Sequence, residues 1–266
     1  MKIFGFLIVF SLSLSSCAFY LPGFDFELFK NTPAEKLADA VEDEDLDEID
    51  EILRNNRTIV DYQEPEFGHS LLVLATVNNK LKSTKKLLEL GADPNLKSFN
   101  DSSTAVIDAC DGIYSEECNL MILQELIKHG GNVNIIQHST YKWAGEITHR
   151  YMTPLLNAIG TGKCIEVIKL LVESGADVNY VHEISGQTPV IAAIMDDRLD
   201  VARYLIIEKK ANTDNASFTF GNSRSKMRTL TIKEILNEKN YNGSDNSENL
   251  RLKQEILDFL KAKGLE

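Results

Sequence analysis

The chain has 266 residues, a formal net charge of −12 and an ordinary 43% of hydrophobic residues. This composition is that of a globular protein. The acidic balance argues against nucleic-acid binding, because few cations are available to replace the counterions of phosphate groups. It also argues against adhesion to anionic lipid through a polybasic patch.

The first 16 residues have the pattern of a signal peptide. A basic start at Lys2 precedes an apolar run, residues 3–14, that is shorter than the ~20 residues of a membrane span. The run ends in Leu14-Ser15-Ser16-Cys17, which resembles a bacterial lipobox. The resemblance implies that Cys17 is lipidated and anchors the chain, most simply to an outer membrane with the protein facing the periplasm. The alternative is an ordinary signal peptide with an incidental cysteine.

Residues 17–31 form an aromatic tether after the lipidation site. The alternation of Phe24, Phe26 and Leu28 predicts a half-buried strand that packs on the first repeat. The alternative is a segment that lies on the membrane interface.

Residues 32–66 are predicted to form an N-terminal cap of two helices, at about 33–41 and 45–55. Thr32-Pro33-Ala34-Glu35 has the form of a capping box. The second helix combines apolar residues at helical spacing with many acids, as expected for the polar outer face of a terminal repeat. The same acids could instead contact a basic partner.

Residues 67–213 carry an internal repeat, and its clearest copy is Thr153–Tyr180. Thr153-Pro154 can begin one helix, Gly160 and Gly162 can interrupt the chain, and Gly175 can end a second helix. Similar openings occur at Ser70, Thr104 and Thr188, so the four openings are 34, 49 and 35 residues apart. One helix pair cannot bury its apolar face alone, so the copies are expected to stack.

This period and the Thr-Pro-Leu opening resemble the ankyrin repeat. The resemblance implies an all-α fold, an ankyrin-repeat solenoid of stacked helix-turn-helix units with extended inter-repeat loops, closed by a degenerate C-terminal cap at about 230–266. It also implies a monomer that binds another protein. The histidine usual in the opening tetrad is replaced by apolar residues: Val73, Ile107, Leu156 and Ile191.

The resemblance also points to candidate partner-binding residues. The fifth residue of each opening helix is expected to be exposed on the concave side. These residues are Leu74, Asp108, Asn157 and Ala192, and the loop tips add Lys97, Phe99, His138, His182 and Glu183.

The longest departure from the repeat is Ile135–Arg150, predicted to be an extended loop. It holds the only tryptophan, Trp143, together with Tyr141, His138, His149 and Arg150. Trp, Tyr and Arg carry much of the binding energy at protein interfaces, which favours partner binding by this loop. The alternative is that Trp143 folds back and plugs the solenoid.

Two cysteines flank the insertion in the third repeat. Cys110 and Cys118 could form a disulfide in an oxidising compartment, or could be two separately buried thiols. Cys164, at a helix start, is interpreted as a small core residue.

No catalytic motif is present in the sequence, and we expect neither an enzyme nor a bound cofactor or metal. Taken together, the patterns predict a lipid-anchored envelope protein that binds another protein. The specific hypothesis is an immunity protein that neutralises a secreted toxin directed to the periplasm, for example a type VI lipase effector. The alternative is an envelope scaffold or a host-facing surface lipoprotein.

Overall fold

A computed structural model of the 266-residue chain shows how these segments are arranged. It describes residues 23–111, 120–143, 146–162, 164–183, 185–213, 217–220, 228–238 and 247–264. Side chains are described throughout these ranges except at 139–143, 146–150, 217–220 and 228–229.

The described chain forms six successive pairs of helices. Their bounds are α1 Glu35–Asp43, α2 Leu46–Asn55, α3 Leu71–Val77, α4 Leu81–Glu89, α5 Ala105–Ala109, α6 Leu120–Lys128, α7 Pro154–Gly160, α8 Ile165–Glu173, α9 Pro189–Met195, α10 Leu199–Arg203, α11 Ile232–Glu238 and α12 Ser247–Ala262. A short π-helical turn, Tyr204–Glu208, continues α10.

The helix pairs stack into two parallel rows. The first helix of each pair packs against the first helix of the next, from α1 through α3, α5, α7 and α9 to α11. The second helices, from α2 to α12, form the other row in the same way. One continuous apolar core runs between the rows, from Phe26 to Leu260. The predicted all-α solenoid is therefore confirmed.

The repeated sequence openings act as helix caps. The hydroxyl groups of Ser70, Thr104, Thr153 and Thr188 each accept a hydrogen bond from the backbone N–H three residues later. This satisfies one of the donors that a helix start leaves open. At the other end of the clearest unit, Gly175 has a φ of 94°, a conformation that glycine adopts at little cost.

Side-chain bonds between neighbouring turns join one repeat to the next. Asn95 accepts from the backbone N–H of Asn132 at 2.7 Å, and Asn134 accepts from that of Asp177 at 2.8 Å. Asn179 accepts from the backbone N–H of Asn212 at 2.7 Å. The turns are thus linked by an asparagine ladder, although the opening tetrads lack histidine.

The long loop of the sequence analysis is a β-hairpin. Strands β1, Gln137–Trp143, and β2, Glu146–Met152, pair antiparallel with His138 opposite Tyr151 and Trp143 opposite Glu146. A second pair, β3 Ser217–Phe220 and β4 Arg228–Thr231, precedes α11. The predicted extended loop between these repeats is therefore present, and most of it forms a hairpin.

The described part of the aromatic tether, residues 23–31, packs on the first helices but is not a strand. Residues 26–29 form a 3-10 turn in which Phe26 and Phe29 are both buried, so two side chains three apart share one face. The following helix begins at Glu35, two residues later than predicted, and the Glu35 carboxylate accepts from the backbone N–H of Asn31.

The two described cysteines, Cys110 and Cys164, have different states. Cys110 is a fully buried thiol and not half of a disulfide, so of the two alternatives for this residue the structure supports the buried thiol. Cys164, interpreted as a small core residue, is partly buried against the apolar core and is also disulfide-bonded. The other two cysteines of the sequence, Cys17 and Cys118, lie outside the described residues.

None of the helices in the described ranges combines the length and apolar character that crossing a membrane requires. The predicted signal peptide, residues 1–16, and the predicted lipidation site, Cys17, lie outside those ranges.

Candidate partner-binding surface

The loops between helix pairs form a continuous surface along one edge of the solenoid. We call it the finger row and define it as the described residues within 61–69, 96–103, 136–152 and 180–187. Each of these segments connects the end of one helix pair to the start of the next.

Direct bonds hold neighbouring fingers together. The carbonyl of Phe67 accepts from the backbone N–H of Phe99 at 3.1 Å. Gln137, at the base of the hairpin, donates from its side-chain amide to Asp101 at 3.2 Å. Because adjacent fingers are bonded in this way, the row is a preformed surface and not a set of independent loops.

The first finger is organised by a buried carboxylate. Glu64 is fully buried and accepts from the backbone N–H groups of Glu66, Phe67 and His69 at 2.7–3.1 Å. Its neighbour Gly68 has a φ of 78°, and a side chain there would collide with the ring and backbone of Phe99. The close approach of the first two fingers therefore depends on glycine at position 68.

Two large apolar side chains project from the row. Phe99 is 64% exposed in the second finger, and Val181 is 57% exposed in the fourth. Lys97 and Glu183 are exposed in the same two fingers, and His138 is exposed at the base of the hairpin. An apolar and charged surface of this kind is typical of protein interfaces, where apolar anchors are surrounded by polar groups.

An aromatic stack joins the base of the hairpin to the fourth finger. The ring of His138 lies on that of Tyr151 with centroids 4.5 Å apart, and His182 meets Tyr151 edge-on at 6.0 Å. Burial lowers the pKa of His182, partly offset by Glu183. Two predicted residues, His138 and His182, thus both contact Tyr151, which was not among the predicted site residues. Its place opposite His138 in a hairpin was the signal that could have found it.

The predicted concave positions are not exposed. Leu74 and Asn157 are fully buried, Ala192 is 3% exposed and Asp108 is 6% exposed. Asn157 uses its side-chain amide to donate to the carbonyl of Ile107 at 3.2 Å. Leu74 and Ala192 belong to the apolar core between the rows. The prediction that these four residues form an open concave surface was therefore wrong.

The hairpin residues can be placed only by their backbone. Tyr141 and Trp143 lie on β1, whereas His149 and Arg150 lie on β2. Their side chains are outside the described part of the structure, so both alternatives for Trp143 stay predictions.

The described part of the surface has features that are typical of a protein-binding site. Within the described ranges no three His, Cys, Asp or Glu side chains are grouped so that they could hold a metal ion. The row offers apolar contact area, hydrogen-bonding groups and fixed loops, which are the elements of protein recognition.

The two-row stack, the capped openings and the linked turns are features of one repeat family. Residues 113–217 match the family model for ankyrin repeats, in three copies. This segment of the chain contains ankyrin repeats. The match and the stacking together make the fold an all-α ankyrin solenoid, and ankyrin repeats form protein–protein interaction modules.

Similar repeats occur in proteins of diverse sources. The chain is 27% identical over 146 residues to an ankyrin repeat protein of Acanthamoeba polyphaga mimivirus and covers 83% of it. It is 26% identical over 147 residues to a subunit of nuclear factor NF-kappa-B from Gallus gallus and 34% identical over 91 residues to an ankyrin repeat protein of Fowlpox virus. It spans 13% of each of these two proteins. These matches cover 55%, 53% and 34% of the present chain for the Gallus, mimivirus and fowlpox proteins, respectively.

Proposed function

We propose that this chain is a lipid-anchored protein of a bacterial envelope that binds another protein through the finger row. The observation that carries the proposal is the preformed row with Phe99 and Val181 exposed on it. Exposed apolar side chains on a rigid surface contribute to affinity because little conformational freedom is lost on binding.

Two features support an envelope location. The sequence Leu14-Ser15-Ser16-Cys17 resembles a lipobox, and lipid anchoring through Cys17 would hold the solenoid at a membrane. The disulfide at Cys164 fits the same location, since disulfides persist in oxidising compartments such as the periplasm.

We further propose that the partner is a toxin directed to the periplasm, for example a type VI lipase effector, and that binding neutralises it. An anchored protein with a preformed binding surface could intercept such an enzyme as it arrives. The long hairpin between the third and fourth helix pairs would provide contacts specific to one partner.

Affinity capture tests the binding part of the proposal. The mature chain, tagged at its C-terminus, would be incubated with envelope extracts and with candidate toxins. We expect the native chain to retain a protein that the variant Phe99→Asp/Val181→Asp does not retain. Met121→Asp is the matched control, because Met121 is 62% exposed but lies on α6 outside the row.

Deleting the gene and challenging the cells with toxin-bearing siblings tests the immunity part. We expect survival to fall and to be restored by the native chain. Capture of a partner with unchanged survival would overturn the immunity proposal and favour the envelope scaffold. Failure to capture any protein that depends on the finger row would overturn the binding proposal itself.

A further inference from the structure

A cavity of about 270 Å³ lies on the row of second helices. It is open to solvent and is bordered by α8, by α10 with its π-helical turn, and by α12. Its walls combine the apolar side chains of Ile165 and Leu252 with the cationic side chains of Lys169 and Arg203. None of the lining residues belongs to the finger row, so the cavity is a separate candidate site.

The carboxylates beside the cavity already have cationic partners. Arg203 on α10 pairs with Glu255 on α12 and thereby joins two of the helices that border the cavity. The ion pairs around the cavity include Arg198–Asp200 at 3.3 Å, Arg203–Glu208 at 2.7 Å, Arg203–Glu255 at 2.6 Å, Arg251–Glu248 at 2.5 Å and Arg251–Glu255. These acids are therefore neutralised by the protein itself and do not need a ligand for that purpose.

Lys169 differs from the other cations of the cavity. In the described part of the chain its ammonium group forms no ion pair, and it lies 5.8 Å from the centroid of the Tyr204 ring. Lys209 lies near the same ring at 5.4 Å but pairs with Glu173 at 3.9 Å. Because an aromatic ring and not a carboxylate holds Lys169, the three N–H donors of its ammonium group are available to a ligand.

Tyr204 adds a second unused donor to the same wall of the cavity. The residue is 3% exposed, and its hydroxyl has no hydrogen-bond partner among the described residues. Burial raises the pKa of this hydroxyl, partly opposed by Lys209, so the hydroxyl stays protonated at neutral pH and can donate. Buried polar groups are nearly always bonded, so an unused donor in a cavity wall suits a ligand that brings an acceptor.

We propose that this cavity binds a small organic acid through its carboxylate. The carboxylate would accept from the ammonium group of Lys169 and from the hydroxyl of Tyr204, since charge-assisted hydrogen bonds of this kind are the stronger ones. The ends of Lys169 and Lys209 lie beside the Tyr204 ring, and their flexible side chains can turn toward the ligand and uncover the hydroxyl. The apolar part of the acid would lie against Ile165 and Leu252.

The size and charge of the cavity favour this class of ligand. Its volume is slightly below that of sites for drug-sized ligands, so a molecule of few atoms fits. Asp200, Glu208 and Glu248 also line the cavity. Because like charges repel at short range, these acids disfavour a doubly charged phosphate more than a singly charged carboxylate.

Methyl NMR of the mature chain tests the site directly. The sodium salts of acetate, butanoate and benzoate serve as probes, with sodium chloride at equal ionic strength as the reference. We expect at least one carboxylate to cause saturable shifts of the Ile165 and Leu252 methyl signals, because both residues line the cavity. The methyl signals of Ile49, buried on α2 far along the solenoid, should stay in place.

Substitution of Lys169 tests the residue that carries the proposal. We expect Lys169→Gln to weaken carboxylate binding by about tenfold or more, because a hydrogen bond to a charged group is lost. Lys261→Gln is the matched control, since Lys261 is exposed on α12 and does not line the cavity. It should bind the same probe as tightly as the native chain.

The absence of saturable shifts at Ile165 and Leu252 with all three carboxylates would overturn the proposal. Equal affinity in the native chain and in Lys169→Gln would overturn it as well, and so would binding of inorganic phosphate without binding of a carboxylate. The first measurement uses the native chain, so it remains informative even if the variant does not fold. Capture through the finger row involves other residues, so the two proposals can fail independently.

Discussion

The side chain of Asn134 joins its own turn to the turn of the next repeat through two hydrogen bonds. Its Oδ1 accepts from the backbone N–H of Asp177 at 2.8 Å, and its Nδ2 donates to the carbonyl of Gly175 at 2.8 Å. Asn95 makes the same pair of bonds one repeat earlier, to the backbone N–H of Asn132 and the carbonyl of Gly130. The asparagine at each turn is therefore a joint between repeats as well as a turn residue.

We expect Asn134→Ala to lower the free energy of unfolding by about 1–2 kcal/mol, because two hydrogen bonds between repeats are lost. Urea denaturation followed by circular dichroism measures the change. Asn55→Ala is the control, since Asn55 is exposed at the end of α2, and should change stability by less than about 0.5 kcal/mol. Equal effects of the two substitutions would show that the ladder does not couple the repeats.

Much of the scaffold could be predicted from residues that act locally. Thr153, Pro154 and Gly175 determine where helices begin and end through their own backbone preferences, so the helix pairs were predictable. The asparagine ladder could be predicted only in part. The role of Asn95 and Asn179 in their own turns is local, whereas their hydrogen bonds to the next repeat depend on how the repeats stack.

Some predictions were wrong because the environment of the residue depends on contacts that are distant in sequence. Asp108 was expected on an open surface because of its position in the repeat, but Ser103 from the finger covers it. The hairpin had a local signal that was not used: Thr140, Tyr141, Ile147 and Thr148 favour strands on both sides of Ala144-Gly145. The disulfide at Cys164 could not be predicted from spacing, since sequence does not determine disulfide connectivity.

Asp108 should make stability fall as the pH rises. Its folded-state pKa, about 8, lies above the ordinary value of 3.8, so the folded chain keeps a proton that the unfolded chain releases between these values. The stability from this proton is present below pH 4 and is lost toward pH 8. Relative to the native chain, Asp108→Asn should gain up to about 1.4 kcal/mol per pH unit in this window, as measured by urea denaturation. A difference that is independent of pH would contradict the buried, proton-holding carboxylate.

Titration of His69 should lower the free energy of unfolding as the pH falls. His69 is 5% exposed and stacks between Phe24 and Phe67, with ring centroids at 4.8 and 5.9 Å. Burial lowers its pKa in the folded state, so below about pH 6.5 the unfolded chain binds a proton that the folded chain resists. We expect stability to drop between pH 7 and pH 5 and expect His69→Phe, which keeps the stack, to reduce the drop. The comparison requires the Asp108→Asn background, where the opposing titration is absent, and an undiminished drop there would exclude His69 as its source.

The disulfide at Cys164 should stabilise the chain only under oxidising conditions. We expect Cys164→Ala to lower the free energy of unfolding by about 2–4 kcal/mol without reductant and to match the native chain with reductant present. Mass spectrometry of the non-reduced digest identifies the bonded cysteine. Lipidation of Cys17 occupies that sulfur, so the envelope proposal requires a peptide joining Cys118 to Cys164. A bond from Cys164 to Cys17 would contradict lipid anchoring.

Substitution of Trp143 distinguishes the two interpretations of the hairpin, in which Trp143 either contacts the partner or packs on the solenoid. Trp143 is the last residue of β1, directly beside the turn and opposite Glu146, and therefore farthest along the hairpin from the base at Gln137. If it anchors the partner, Trp143→Ala should weaken binding by about 2 kcal/mol or more, roughly 30-fold, while the melting temperature barely changes. Trp143→Phe keeps an aromatic ring and should lose less. Isothermal titration with the captured partner and thermal denaturation of the same samples measure both quantities. A large fall in melting temperature with affinity retained would identify Trp143 as a plug of the solenoid, and partner contact would then have to come from Phe99 and Val181.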